Sequence, residues 1–354
     1  MLKIRYFEES DKQEIISLLQ AIFPKYGVDG FVHFWEWHYL SNPNNYGLNP
    51  AILVSELDHK IVGILAGIRS KLKVGNSILD CLWLADYGTH PDFRFKAGAF
   101  KLAHRAMEDF DILLGLGNPN SSIIAERIGF SYFSVPVLTN VLSLENILSG
   151  KVKQSWLTQG AQILWRAFKR IYLFACRPKE GRFRIEEVSF FDERFNSLWD
   201  RINGDCPVTC VRDKDYLQWR YGDVPGYKYK IFGATSADGL AGYIVLRVEK
   251  RSKLKTGLIT DLISLGNNSE ATECLIKQAL SYFDEESVDV VKCLRPGIAG
   301  YDHALKKLGF FFYRRTVNVF VKSKSEKVDQ RFLQQRNNWF LSIGDSDLDF
   351  YGFY

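Results

Sequence analysis

The chain repeats itself at a nearly constant interval, and nothing else in the sequence constrains its fold as strongly. Residues 37–43 read Trp-His-Tyr-Leu-Ser-Asn-Pro, and residues 219–225 read Trp-Arg-Tyr-Gly-Asp-Val-Pro, the same Trp-x-Tyr-x-x-x-Pro pattern 182 positions later. Lys60-Ile-Val-Gly-Ile-Leu-Ala-Gly67 faces Gly239-Leu-Ala-Gly-Tyr-Ile-Val-Leu246, with Gly63 and Gly242 179 apart. Arg127-Ile-Gly-Phe130 faces Lys307-Leu-Gly-Phe310 at an interval of 180. Each Gly-Phe opens an aromatic, β-branched run that ends in Asn-Val, at 140–141 and 318–319. Such agreement predicts a tandem duplication, with copies near 1–145 and 185–325. A chain of 354 residues has room for two domains of roughly 100–200 residues each.

Within the first copy the pattern predicts a mixed α/β sheet with helices on its faces. Residues 2–6 alternate as a strand, and Ser10 caps a helix whose Ile15, Leu18, Leu19, Ile22 and Phe23 share one face. Ala51–Glu56 and Ile61–Arg69 read as a hairpin joined by Leu57-Asp-His-Lys, and Ile78–Gly88 as a longer strand. Lys96–Asp109 has helical periodicity, Ile112–Leu116 is a short strand, Ser121–Ile128 a helix and Tyr132–Leu144 a final strand.

Charge is localised. Between Lys151 and Arg184 there are nine basic residues and one acid, whereas the rest of the chain carries 37 basic and 40 acidic residues. A nucleic-acid binder needs a basic face on a folded domain, so that class is disfavoured. The N-terminus has no apolar core of signal-peptide length and no run reaches the ~20 apolar residues that cross a bilayer, so a cytoplasmic location is expected. Six scattered cysteines predict reduced thiols. Cys206-Pro-Val-Thr-Cys210 lacks the second pair that a zinc site needs, and no metal is expected.

Residues 83–102 carry the chemistry. A strand ends near Thr89, Pro91 breaks it, and Arg94-Phe-Lys-Ala-Gly-Ala99 opens a helix. Helix starts offer unpaired N–H groups and partial positive charge to phosphate oxygens. Ala97, Gly98 and Ala99 allow close approach of backbone, and Arg94 and Lys96 add cationic donors. An ordinary strand-to-helix turn with a solvated Arg and Lys explains the same residues.

This stretch resembles the pyrophosphate-binding motif of the GNAT superfamily of acyl-CoA N-acyltransferases, Arg/Gln-x-x-Gly-x-Gly/Ala, here written Arg94-x-x-Ala97-x-Ala99. Gly117-Asn-Pro-Asn120, followed by a helix and Gly129-Phe130, resembles the family's next hallmark. The second copy resembles the same fold through Asp215-Tyr-Leu-Gln-Trp-Arg-Tyr221 and Lys307-Leu-Gly-Phe310. Asn338–Asp347 is similar to a recurrent tail of bacterial two-domain members. The resemblance implies a GNAT-like domain at 1–145, a basic amphipathic helical linker at 146–184, a degenerate GNAT-like domain at 185–325 and a tail at 326–354.

It further implies that acetyl-CoA, or another acyl-CoA, is held by Thr89, Arg94, Phe95, Lys96, Ala97, Gly98, Ala99, Asn118 and Asn120. Two departures stand out. The tyrosine that many members carry four residues before the Gly-Phe glycine is Ala125 here and Leu305 in the second copy, so the usual acid for the leaving thiolate is absent from that place. The second copy has Leu265-Gly-Asn-Asn-Ser269 where the phosphate loop belongs, without Arg or Lys. Cofactor is therefore expected in the first copy alone.

Acyl transfer to an amine requires a base for the amine proton and a polarised carbonyl. Asp86 and Asp261 sit late in corresponding strands; if Leu84, Asp86 and Gly88 line one face, Asp86 can reach the acceptor amine. A structural carboxylate is the alternative. Tyr87 and His90 are further proton carriers. The aromatics at 31–39 suit either an acceptor pocket or, more economically, core packing. The segment Trp156–Arg177 suits an interfacial membrane helix or a packed linker. Relatives of this type are associated with bacterial cell-surface polysaccharide synthesis, which makes a nucleotide- or lipid-linked amino sugar the expected acceptor, with the location cytoplasmic or peripheral to the inner membrane face. A Fem-type aminoacyl transferase and a non-catalytic ligand-binding protein are the alternatives.

Overall fold

The computed structural model of the protein describes all residues except 25–33, 94–97, 118–124, 149–159, 161–162, 166, 169–170, 173–181, 252–253, 268, 326–327 and 352–354. In chain order the strands are β1 (Leu2–Tyr6), β2 (Ile52–Leu57), β3 (Lys60–Val74), β4 (Ser77–Thr89), β5 (Ile112–Gly117), β6 (Ser131–Val141) and β7 (Arg184–Glu187). They continue with β8 (Val208–Cys210), β9 (Lys230–Ser236), β10 (Gly239–Arg251), β11 (Leu254–Ser264), β12 (Val290–Leu294) and β13 (Phe311–Ser323). The longer helices are α1 (Lys12–Ile22), α2 (Ala99–Asp109), α3 (Glu193–Ile202), α4 (Ser269–Glu285) and α5 (Ala299–Lys307).

Two compact units emerge, and they cut across the sequence repeat. One comprises Met1–Ser134, Pro207–Tyr227 and Val317–Asn338, the other Val135–Cys206, Lys228–Thr316 and Trp339–Tyr354. Pro207–Tyr227 of the second copy joins the first unit, where β8 pairs with β3, and the copies exchange their last strands. In the first unit, Asn318–Ser323 of β13 run antiparallel to β5, with Asn318 opposite Gly117 and Ser323 opposite Ile112. In the second, Val137–Val141 of β6 run antiparallel to β12. Each strand thus completes the sheet of the other copy and satisfies a ladder of backbone groups that would otherwise form an open edge.

In the first unit β1, β2, β3 and β4 pair antiparallel in that order, and β5 joins β4 in parallel. Both faces are covered, so the strands read as continuous apolar runs. Alternate residues divide between two cores. Leu53, Leu65 and Leu82 pack with Leu102, Ala106 and Phe110 of the α2 region, and Phe320 of β13 enters the same cluster. Ile52, Val54, Ile64 and Ala66 point the other way, onto Ile15 and Leu19 of α1 and onto Trp35 and Tyr39. The aromatics at 34–39 are therefore chiefly core.

The helix expected from Lys96 begins at Ala99, because Gly98 adopts the left-handed conformation (φ 64°) just before it and residues 94–97 lie outside the described set. The strand expected to end at Arg69 runs on to Val74, where β8 pairs with its far end. Of the expected helix 121–128, residues 125–127 are helical and 121–124 lie outside the described residues. Among the described residues, no helix is long and apolar enough to cross a membrane.

In the second unit β7, β9, β10 and β11 pair antiparallel, and β12 joins β11 in parallel. The two units preserve one irregularity in common. In β4 the register slips between Leu84, opposite Gly67, and Asp86, opposite Ala66, leaving Ala85 as a bulge. In β11 it slips between Ile259, opposite Leu246, and Asp261, opposite Val245, leaving Thr260. The repeated Trp-x-Tyr motifs also coincide: Glu36–Leu40 and Gln218–Gly222 are both single π-helical turns.

Candidate active site

The bulge at Ala85 is the feature from which the site is built. An extra residue in one strand reverses the faces of everything beyond it. Leu84 and Tyr87 accordingly both pack on the α2 side. Asp86 turns to the α1 side, where Tyr39 reaches it. Gly88 faces the same way: a Cβ there would lie 2.8 Å from Ile22 Cγ2. The expectation that Leu84, Asp86 and Gly88 share a face is thus corrected: Leu84 lies on the opposite one, because simple alternation does not survive a bulge. Gly67 allows the distortion, since a Cβ at that position would stand 2.1 Å from the Trp83 carbonyl oxygen.

Beyond the bulge β4 parts from β5. Their parallel pairing covers Cys81–Leu84 against Ile112–Gly115, while β4 runs on to Thr89 and β5 to Gly117. On its other edge β4 remains paired to β3 as far as Thr89, opposite Gly63. Among the described residues the β4–β5 pairing thus ends at the bulge, so the β5-facing edge of residues 85–89 is the place suited to an extended amide-bearing ligand.

The start of α2 borders this edge. Tyr87 donates its hydroxyl hydrogen to the Ala99 carbonyl oxygen at 2.8 Å. Gly98 precedes the helix, and a Cβ there would lie 2.5 Å from Leu2 Cδ2 as well as demanding a left-handed side chain. Its carbonyl accepts the Leu102 N–H at 3.0 Å, so that bond is the first of the helix and the N–H groups ahead of it have no partner within the helix. Of the residues expected to hold acyl-CoA, Thr89, Gly98 and Ala99 stand at this end of β4 and α2; Arg94, Phe95, Lys96, Ala97, Asn118 and Asn120 lie outside the described residues.

Asp86 is 5% exposed and accepts a hydrogen bond from the Tyr39 hydroxyl. Burial pushes its carboxyl up to about 6, partly opposed by the Tyr39 hydrogen bond. That places its proton exchange near neutrality, where a base for an amine is useful. Tyr87, on the opposite face, has its phenol pushed up by burial and its hydroxyl committed to α2. His90 accepts the Asp92 N–H at 3.2 Å on Nδ1, as a turn residue does.

Tyr39 and His38 belong to the aromatic cluster that the sequence offers as acceptor pocket or core, without any sign that Tyr39 meets Asp86. His38 stacks on the Tyr39 ring at 4.7 Å and 9°. Burial, and then Arg220, push its imidazole down to about 3, so it is neutral, and its Nε2 has no hydrogen-bond partner among the described residues. The repeated Trp-x-Tyr motif held the available signal: a tyrosine on a short irregular turn ahead of the strand that carries an aspartate. In the second unit the Asp261 carboxylate accepts the Tyr243 hydroxyl at 3.0 Å, a different partner. There a cavity of only about 10 Å³, roughly the room for one water, is lined by Asp261, Cys293, Leu294, Phe340 and Leu341. The tail residues Phe340 and Leu341 thus form part of its wall.

Residues 3–133 match the family of acetyltransferase (GNAT) domains. No curated protein matches the chain in sequence. Solved structures similar in fold include a GCN5-related N-acetyltransferase from Anabaena variabilis (14% identity, TM-score 0.63, 91% of this chain and 73% of that one). A conserved protein of unknown function from Enterococcus faecalis is similar at 12% identity and TM-score 0.61, over 91% of this chain and 73% of that one. Saccharomyces cerevisiae N-myristoyltransferase with bound myristoyl-CoA is similar at 11% identity and TM-score 0.55, over 90% and 82%.

Proposed function

We propose that this protein, whose residues 3–133 match the family of acetyltransferase (GNAT) domains, transfers an acyl group from acyl-CoA to a primary amine in the first unit. The observation that carries the proposal is that the β4–β5 pairing ends at the bulge while a buried carboxylate, Asp86, stands one residue beyond it. Acyl-CoA lies along residues 85–89, with its phosphates toward the first turn of α2 and toward Arg94 and Lys96. The resemblance of the Arg94–Ala99 loop to the family's motif supports that orientation.

The acceptor nitrogen attacks the thioester carbon, a C–N bond forms and the C–S bond breaks. Asp86 takes the amine proton directly or through one water, and the thiolate that leaves is protonated from solvent, since Ala125 stands where a tyrosine acid is usual. Backbone N–H groups of the parted strand polarise the carbonyl oxygen. Acetyl is the expected acyl group and an amino sugar of cell-surface polysaccharide synthesis the expected acceptor. The second unit is a structural or substrate-shaping copy that binds no cofactor, in keeping with the smallness of the cavity beside Asp261.

Calorimetric titration with acetyl-CoA and with myristoyl-CoA, on wild type and Arg94→Glu, tests the donor assignment. Binding of acetyl-CoA that falls roughly tenfold or more on reversing this charge supports it. Absent or unchanged binding refutes it.

A further inference from the structure

We propose that the second unit docks onto an anionic membrane surface through the exposed side chains of Leu164, Phe168 and Ile171, which lie on helical turns, and the opening residues of β13. All of these residues belong to that unit. The stretch that carries the first three is anchored on one side. Trp165 donates its indole N–H to the Leu142 carbonyl oxygen at 3.0 Å. Tyr172, seven positions on, lies over Gly309, its hydroxyl 3.2 Å from where a Cβ would stand. These two residues mark the inward stripe.

Leu164, Phe168 and Ile171 follow i, i+4, i+7 spacing away from that stripe and are 74, 59 and 71% exposed. A helix that served only to pack a linker would bury such a stripe or carry polar residues there. Two residues beyond Gly309, β13 opens with Phe311, Phe312 and Tyr313, which are 46, 52 and 65% exposed. Arg314 follows in a left-handed conformation (φ 55°), with its guanidinium carbon 5.9 Å from the Tyr313 ring centroid. Two apolar, aromatic strips thus adjoin across the Tyr172–Gly309 contact, the second with Arg314 over its Tyr313 ring.

Charge selects the occupant. Arg314 lies over Tyr313 and Arg315 follows it in sequence, and the sequence from Lys151 to Arg184, most of whose basic residues lie outside the described set, holds nine basic residues and one acid. Apolar side chains that insert, beside cations that meet headgroups, suit an interface of acidic lipid. A second copy of the chain would set this positive charge against itself, which disfavours self-association. The membrane contact is independent of the acyl transfer proposed above.

The test is sedimentation of the full chain with vesicles of phosphatidylcholine alone and with vesicles of equal parts phosphatidylcholine and phosphatidylglycerol. The expected result is binding about tenfold or more tighter to the anionic vesicles, weakened by salt. Phe168→Glu/Ile171→Glu and Arg314→Glu/Arg315→Glu should each reduce it by roughly tenfold. Phe168, Ile171 and Arg314 are exposed and Arg315 is half-buried, so thermal unfolding should change little. Absence of wild-type binding, equal binding to both vesicles, or binding indifferent to both variant pairs overturns the proposal. So does a concentration-dependent dimer that the Phe168→Glu/Ile171→Glu variant abolishes without any vesicle binding.

Discussion

Trp37 and Trp219, 182 positions apart, each donate the indole N–H to the other's carbonyl oxygen, at 2.8 and 2.9 Å. Their rings stack at 5.0 Å and 17°. The two residues are repeat equivalents, on equivalent π-helical turns, and both lie in the first unit. A pair of this kind is self-complementary: one motif, duplicated, supplies both donor and acceptor.

Removing either indole N–H leaves a buried carbonyl without that partner. Trp37→Phe and Trp219→Phe should each destabilise the protein by about 1–3 kcal/mol. Because the bonds are reciprocal and the rings touch, the double variant should cost less than the sum by roughly 0.5–1.5 kcal/mol. A double-mutant cycle in chemical denaturation measures this, and strict additivity would count against the pairing.

Asp86→Asn should lower turnover about tenfold or more with acyl-CoA affinity retained, the loss expected of a general base. In wild type the acid limb of kcat/KM should lie near pH 6, where the buried carboxyl titrates. Tyr39→Phe removes a hydrogen bond that favours the ionised form, so the limb should move to higher pH. A pH profile unmoved in Tyr39→Phe would remove this tyrosine from the site.

The same group has a stability signature of defined sign. Its folded value is raised from 3.8 to about 6, so the folded state holds the proton more tightly than the unfolded chain. Its stabilising contribution is complete below the unfolded value and is lost as pH rises through about 6. Asp86→Asn should therefore gain stability relative to wild type at pH 8, by at most roughly 3 kcal/mol, with the gain fading toward pH 4. His38 runs the other way. Its folded value is depressed to about 3, so its contribution is present above the unfolded value of 6.5 and is lost as pH falls toward 3. His38→Gln should flatten that acid limb in thermal unfolding across the same window.

The exchange of last strands gives a long-range prediction. Phe320 belongs to the second copy by sequence yet packs among Leu102, Ala106 and Phe110 of the first unit. Phe320→Ala should cost about 3–5 kcal/mol and should lower amide-exchange protection first in β5, against which β13 lies, rather than in β12. Protection lost equally in both strands would contradict the pairing.

What the sequence disclosed and what it withheld follow from range. Local periodicity marked β1, the β2–β3 hairpin, β4 and α1, and the interval near 180 marked the duplication. It could not say which sheet the runs after Gly129-Phe130 and Gly309-Phe310 would join, because both read as the last strand of their own copy. The bulge was hidden because Ala85 is an unremarkable strand residue, and with it went the true face of Leu84. Tyr39 looked like one aromatic in a packed cluster, which it is, but its hydroxyl ends on Asp86, 47 positions away. Contacts at that distance leave no periodic trace.

The central claim is that acyl-CoA occupies the first unit, between β4 and β5. The structure of the protein in complex with CoA tests it most directly. The account predicts phosphates at the first turn of α2 beside Gly98, pantetheine along residues 85–89, and the thiol on the side of Asp86. Density for CoA between β11 and β12, or none in the first unit at saturating ligand, would contradict it.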